Sequence, residues 1–293
     1  MGVVVLSGAT LTNLGSIGLP PNYLSVGSLG GVGVSLTAGA VLTNTGVIAG
    51  SGSSGTSAGG TGVVDTNNSF SNAGTILGGA GYGVFPENAG FGTVAGRGGV
   101  GLSLSGGSVP NPGSIGGGEA DGSAAIGAIG GAGVLVVTGT LTNNGTITGG
   151  GGAGDTTALA GAGILLQAGS VINNLTISGG DINGNLGVGA GIASGSLTNN
   201  GTISGSDGVD VAGGAAAGTY IDNTASIAGV NADGVSLASV ATVVNSGRIT
   251  GTTNAVAMSA GGSVTNAQTG TLSAGSAAIP AAGGATILNL GSI

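Results

Sequence analysis

Aliphatic and polar residues alternate in a short unit that recurs along the whole chain. Its clearest copies, at 141–147 and 197–203, both read Leu-Thr-Asn-Asn-Gly-Thr-Ile. Taking the central Asn as an index gives eleven copies, spaced between 21 and 39 residues apart. A repeat of this period over an entire chain is typical of a solenoid, in which successive coils stack on one another. The index residues are Asn13, Asn44, Asn72, Asn111, Asn143, Asn173, Asn199, Asn223, Asn245, Asn266 and Asn289.

Apolar residues stand at fixed distances from the index Asn. The residue two before it is apolar in all eleven copies, and the residue four after it is Ile in ten; the Asn266 copy reaches Leu272 two residues late. Thr and Ser between these positions give the period-two alternation of a strand. Asn and Gly accept the backbone angles of a turn. The unit therefore predicts strand, turn and strand, with the index asparagines in a structural role and their amides stacked as a ladder.

A further alternating stretch precedes each unit, as in 32–36 and 100–104, and short glycine-rich corners separate it from the turn. About three short strands per coil predict a parallel β-helix. We therefore expect an all-β fold, a parallel β-helix (β-solenoid) of about eleven coils, forming one domain over residues 1–293. The loops after the Ile are longer in 1–190, whereas 191–293 contains shorter, regular coils.

Insertions in solenoids collect on one face, which is often the binding face. The longest insertion lies between Ile76 and Val100 and contains three of the six aromatic residues of the chain. Its candidate contact patch for a sugar or a protein consists of Tyr82, Phe85, Glu87, Phe91 and Arg97. The alternative interpretation is that these side chains pack the loop onto the rod.

The composition supports an ordered protein and excludes several partners. Glycine makes up 72 of 293 residues, yet 40% of the chain is hydrophobic and only 4% is charged, unlike a disordered linker. The net charge of −8, with two Arg and no Lys or His, excludes nucleic-acid binding. No apolar run is long enough to span a membrane as a helix. Because Cys is absent, the fold has neither disulfides nor thiolate metal ligands.

The residue types needed for nucleophile–base catalysis are missing, since the chain has no His, Cys or Lys. We therefore expect no enzymatic activity and no cofactor. Acidic residues in the loops, among them Asp181, Asp207 and Asp210, are interpreted as solvated charges. One alternative is a weak Ca²⁺ site, because 205–211 looks like a single copy of a calcium-binding nonapeptide. A second alternative is carboxylate-pair hydrolysis by Asp181 and Asp207, which belong to neighbouring coils.

Repeats of the form aliphatic-Thr-Asn-x-Gly-x-Ile, carried best by 143–147 and 199–203, resemble the passenger regions of bacterial autotransporters and of filamentous-haemagglutinin-type adhesins. The resemblance covers the whole chain. It implies a right-handed β-helix, export to the surface of a Gram-negative bacterium or secretion from it, and a role in adhesion or aggregation. The expected partners are surface glycans or proteins of a host or a bacterium.

The coils are expected to be uncapped at both ends, because the first strand begins by Val3 and the chain stops at Ile293, inside a copy of the unit. Open strand edges need a cap or a partner. We therefore expect the coils to continue in a longer rod, or copies of the chain to stack end to end as a filament. The leading hypothesis is a non-enzymatic structural or adhesive β-helix. The alternative is a β-helix protein that binds or cleaves polysaccharide with its loop acids and aromatic residues.

Overall fold

The fold is a parallel β-helix whose coils each present three faces. The computed structural model describes residues 2–18, 30–54, 57–82, 96–121, 128–153, 158–215 and 218–293. These described residues contain no helix, and thus no helix long and apolar enough to cross a membrane. The regular structure of this part of the chain consists of thirty-five strands, numbered in chain order.

Strands of successive coils pair in parallel and so build the three faces. The first face contains β1 Val3–Val5, β4 Val34–Leu36, β8 Val63–Thr66, β12 Leu102–Asn111, β15 Val134–Asn143, β18 Ile164–Leu166, β23 Ala190–Ile192, β26 Val209–Val211, β29 Val235–Leu237 and β32 Val256–Met258. The second face contains β2 Thr10–Asn13, β5 Val41–Asn44, β9 Ser71–Asn72, β19 Ser170–Asn173, β24 Ser196–Asn199, β27 Thr219–Asn223, β30 Ala241–Asn245, β33 Gly262–Asn266 and β35 Ala285–Asn289. Strands β12 and β15 are long and continue from the first face into the second.

The third face is a separate ten-stranded sheet that follows the index Asn. It contains β3 Ser16–Ile17, β6 Val47–Ala49, β10 Thr75–Leu77, β13 Ser114–Gly116, β16 Thr146–Thr148, β20 Thr176–Ser178, β25 Thr202–Gly205, β28 Ser226–Gly229, β31 Arg248–Gly251 and β34 Thr271–Ala274.

The core runs along the axis of the rod. Inward residues stack on identical or similar residues of the next coil, as in the register Ile48, Ile76 and Ile115. All three are fully buried. Parallel register of this kind places like on like in most coils, so an aliphatic side chain inside the rod has a partner in the coil before it and in the coil after it. Full burial of one such side chain contributes about 1.5–3 kcal/mol, which is why a chain this rich in glycine can remain folded.

Within the described residues, six short strands lie outside the three faces. Strands β7 Ser53–Ser54, β11 Gly81–Tyr82, β14 Ala120–Asp121 and β17 Gly152–Ala153 pair in parallel as a four-stranded sheet of their own. Beside them, β21 Asp181–Ile182 and β22 Asn185–Leu186 form an antiparallel hairpin. These strands belong to the segments that leave the third face and return to the first.

Candidate functional surface

The eleven index asparagines form one continuous ladder. The Nδ2 of each residue from Asn13 to Asn266 donates to the Oδ1 of the next index Asn, giving ten hydrogen bonds of 2.7–2.8 Å. Nine of these side chains, from Asn44 to Asn266, are fully buried. The spacing along the chain varies almost twofold between copies, yet the stacking does not change.

Each ladder amide also fixes the turn that contains it. Asn143 Nδ2 donates to the carbonyl of Gly145 at 3.0 Å and to that of Thr176, in the next coil, at 2.9 Å. Its Oδ1 accepts from the Gly145 N–H at 3.3 Å. A buried amide must satisfy all of these atoms or lose about 1–3 kcal/mol for each one left unpaired. The ladder therefore uses the full hydrogen-bonding capacity of Asn to join turn and coil.

A second, exposed row runs beside the buried ladder in the middle of the rod. Asn174 Nδ2 donates to Asn144 Oδ1 at 2.7 Å, Asn200 Nδ2 donates to Asn174 Oδ1 at 2.9 Å, and Thr224 Oγ1 donates to Asn200 Oδ1 at 2.8 Å. These side chains face solvent, so their hydrogen bonds add little stability compared with the buried row.

Glycines form a narrow passage where the chain leaves the rod and returns to it. We call this passage the glycine neck. In it, segments that leave the third face alternate with segments that return to the first face. A backbone N–H of each segment donates a hydrogen bond of 2.7–2.9 Å to a carbonyl of the segment before it. A Cβ on Gly131 would lie 1.9 Å from the Gly99 oxygen, so only glycine fits there. The neck residues are Gly31, Ser51, Gly60, Gly79, Gly99, Gly118, Gly131, Gly150, Gly161, Gly180 and Gly187.

Beyond the neck, the excursions assemble into what we call the side lobe. Its four-stranded sheet is β7, β11, β14 and β17, and a returning column is joined by parallel bridges between Ala58, Arg97, Ile129 and Leu159. The lobe has an apolar cluster of its own, separate from the rod core, in which Ala120, Ala128, Ala158 and Ile182 are buried. This second core is small because most of its side chains are methyl groups.

The hairpin β21–β22 lies at the end of the lobe nearest the C-terminus. Its turn residues Asn183 and Gly184 both have positive φ, at 51° and 84°, as a two-residue type I′ turn requires. Ile182 of this hairpin is fully buried in the lobe cluster. After it, the coils cross from the third face to the first without an excursion.

The candidate aromatic patch is only partly described by the structure. Tyr82 is half-buried in β11, and Arg97 is exposed on the returning column of the lobe. Phe85, Glu87 and Phe91 lie outside the described residues. The two described members thus both belong to the side lobe.

The three candidate calcium ligands do not converge. Asp181 is exposed in the hairpin, where its Oδ1 accepts from the Gly184 N–H at 2.7 Å. Asp207 instead stacks with the following coil, because its Oδ1 accepts from the Asp233 N–H at 2.8 Å. Asp233 in turn accepts from the backbone and side chain of Asn254. Over the part of the chain that the structure describes, no three acidic side chains gather as a metal site.

Two acids near this corner, Asp207 and Asp210, have raised pKa values. Burial raises the pKa of Asp207, and the charges of Asp210 and Asp233 raise it further, while the Asp233 N–H opposes the shift. Burial also raises the pKa of Asp210, against a hydrogen bond from Ser236.

Sequence reasoning missed the side lobe and one buried acid, Asp65. The repeated Gly-Gly pairs on both sides of each excursion were the available signal for the neck, and Asn183-Gly184 was the signal for the hairpin. Comparison with known protein families, with characterised proteins and with solved structures found no match to this chain.

Proposed function

We propose that the chain is a non-enzymatic structural and adhesive rod of an extracellular bacterial surface, in which the β-helix is the scaffold and the side lobe is the contact surface. The observation that carries the proposal is the unbroken ladder of ten amide hydrogen bonds, nine of them buried. A scaffold of this kind is joined by the same bonds at every coil, and it leaves the side chains of the excursions available for a partner.

Support for the lobe as the contact surface comes from its separate architecture. It has its own sheet and its own apolar cluster, and it carries exposed Arg97 and Leu159, the latter with 60% of its surface accessible. The surface partner we propose, a glycan or a protein of a host or bacterial cell, is the one implied by the resemblance of the repeats to autotransporter passengers and related adhesins.

A trimmed chain tests this assignment. In it, 50–62, 78–101, 117–133, 149–163 and 179–189 are each replaced by Gly-Ser-Asn-Gly, which follows the sequence of the short corner at 205–208 with one change. The one change is Asn at the position of Asp207. Asn254 occupies the corresponding position two coils later, where it is uncharged and bonds to Asp233. Non-adherent Gram-negative cells that display the intact chain should aggregate and settle, and cells that display the trimmed chain should not.

If the two cell populations settle equally, the side lobe is not the contact surface. If neither population aggregates or adheres to glycan-coated and epithelial surfaces, adhesion itself is wrong. Surface display must be matched in both, which quantitative labelling of the displayed chains establishes.

We further propose that separate copies of this chain associate end to end. The outer coils leave inward residues open: Val3 is 36% exposed in the first coil and Ile287 is 44% exposed in the last, although their partners Val34 and Val264 are fully buried. The ladder also has a direction, since every index Asn donates towards the C-terminal end. The ladder thus ends on a donor at one end of the rod and on an acceptor at the other, which favours head-to-tail contact.

Electron microscopy of the purified chain tests end-to-end association. Filaments longer than one rod are expected, and Ile287→Lys should shorten them to single rods because it places a charge on the end face. Leu165→Lys is the matched control, since Leu165 is 41% exposed on the side of the rod. Single rods of the unmodified chain, or equal shortening by both substitutions, would contradict the proposal.

A further inference from the structure

One carboxyl group occupies a position of the rod core that is otherwise aliphatic. Asp65 in β8 pairs in register with Leu36 of the coil before and Leu104 of the coil after. Its exposed fraction is 0%. The inward residues of the next coils in this column, Val136 and Leu166, are again aliphatic. An acid therefore stands between two leucines, where the alternation of the strand calls for a hydrocarbon side chain.

The contacts of Asp65 leave two buried oxygens without a donor. Asn68 Nδ2 donates to Asp65 Oδ1 at 2.7 Å and to the carbonyl of Thr66 at 3.0 Å. Asp65 Oδ2 and Asn68 Oδ1 are both buried and have no hydrogen-bond partner. Asn68 itself is only 4% exposed. Both orphan atoms are acceptors when the acid is ionised, so neither can satisfy the other.

A single proton resolves this arrangement. When Asp65 Oδ2 carries a hydrogen it becomes a donor, and Asn68 Oδ1 is the unpaired acceptor on the residue to which Asp65 is already bonded. The acid and the amide then close a ring of two hydrogen bonds, Nδ2–H to Oδ1 in one direction and Oδ2–H to Oδ1 in the other. Protonation thus satisfies both orphan oxygens and removes a buried charge.

Among the residues that the structure describes, no neighbouring charge favours the ionised form of Asp65. Strands β4, β8 and β12 contain no other titratable residue, and the adjoining β9 contains none. Burial raises the pKa of Asp65, and only hydrogen bonds from Asn68 and Thr66 oppose the shift. A metal ion is a poorer occupant, since calcium takes about six to eight oxygen ligands and this pair offers two free ones.

We propose that Asp65 is a neutral carboxylic acid in the folded rod at neutral pH, closed on Asn68 by a shared pair of hydrogen bonds, and that the fold takes up this proton as it forms. The pair lies at the corner between β8 and β9, where Asn67 has a φ of 60° and Gly107 packs against the Asn68 backbone. Loss of the proton in base therefore loosens this corner and the bulge of β12 that rests on it.

The sign of the pH dependence follows from the direction of the shift. The folded pKa lies above the unfolded value of 3.8. The stabilising contribution is then complete below 3.8 and is lost as the pH rises through the folded pKa. Within that window the folding equilibrium constant should fall about tenfold for each pH unit.

Difference infrared spectroscopy tests the protonation state directly. At neutral pH the spectrum of the intact chain minus that of Asp65→Asn should contain the carbonyl band of a protonated carboxyl group. A carboxylate band in its place would overturn the proposal. Asp222→Asn is the control for removal of one acid, because Asp222 faces outward from β27 and its substitution should leave the protonated band unchanged.

Denaturant unfolding at a series of pH values gives a second readout. Asp65→Asn keeps a donor towards Asn68, and Asp65→Leu restores the aliphatic column. In both variants the fall of the folding constant should be shallower than in the intact chain by about tenfold per pH unit, whereas Asp222→Asn should leave it unchanged. An intact chain and an Asp65→Leu variant with the same pH dependence would contradict the proposal, even if Asp65→Asn failed to fold.

Discussion

The coils before and after the hairpin β21–β22 share one rod but differ in how they close. Before it, the chain leaves Thr148 and returns at Ile164 through the excursion 149–163; after it, the chain passes from Ser204 to Val209 through the four residues 205–208. The ladder bonds are equally short in both regions. A four-residue corner is therefore enough to close a coil, and the side lobe is an addition to the rod.

The two regions also differ in which residues their corners tolerate. In the lobed region two chain segments per coil interleave in the neck, and their backbones touch. In the plain region one segment per coil passes, so Asp207 and Asp233 have room for side chains that bond to the next coil. Glycine predominates where backbones interleave, whereas the plain corners combine tightly enclosed glycines such as Gly229 with polar side chains that bond to the next coil.

The largest expected effect concerns this difference. Gly131→Ala should destabilise the protein by about 3 kcal/mol, because its Cβ would meet the Gly99 oxygen at 1.9 Å. Gly213→Ala in the plain region is the matched control, since the nearest atom to its Cβ is 3.9 Å away. Denaturant unfolding measures both, and equal losses would show that the neck is not the tight element described above.

The buried ladder should respond alike in the two regions. Asn143→Ala and Asn223→Ala each remove the ladder partner of one Nδ2 and of one Oδ1 in the neighbouring coils, so each should cost about 2–4 kcal/mol. Asn289→Ala should cost less than about 1 kcal/mol, because the last rung is exposed and has one ladder partner. A large difference between Asn143 and Asn223 in thermal unfolding would mean that the lobe supports the ladder.

The smallest effect is the pH dependence of the plain region. Asp207 and Asp210 have raised pKa values, so their stabilising contribution is present below 3.8 and declines as the pH rises. Asp210→Asn should raise the unfolding temperature slightly at neutral pH and leave it unchanged in acid. Both carboxyls are half-exposed, so the change should be smaller than that of any ladder variant. A lower unfolding temperature at neutral pH would contradict the direction of the shift.

The sequence predicted the rod well because its determinants are local. Each copy of the unit, from the aliphatic residue before the index Asn to the Ile after it, contains a strand, a turn and a strand. Because the copies repeat along the chain, their strands stack in register. The lobe could not be predicted in the same way, since β11 and β14 are two-residue strands whose partners lie 39 residues apart. Asp65 was missed because a buried acid contradicts the alternation that identifies strands. Its hydrogen bond with Asn68 forms only when the corner between β8 and β9 folds.

The calcium interpretation illustrates the same limit. Residues 205–211 look like a calcium-binding repeat in sequence, but Asp207 bonds to the backbone of the next coil and Asp181 lies in a separate hairpin. Whether an acid in a solenoid faces a ligand or the neighbouring coil depends on the stacking of coils. Spacing along the chain does not determine it.

Thermal unfolding of the trimmed chain, followed by circular dichroism, tests most directly whether the rod is independent of its lobe. If the ladder and the aliphatic columns hold the rod together, the trimmed chain should keep a β-sheet spectrum and unfold in one cooperative transition, within about 10 °C of the intact chain. A trimmed chain that is unfolded at room temperature, although its ladder and core residues are unchanged, would contradict this account.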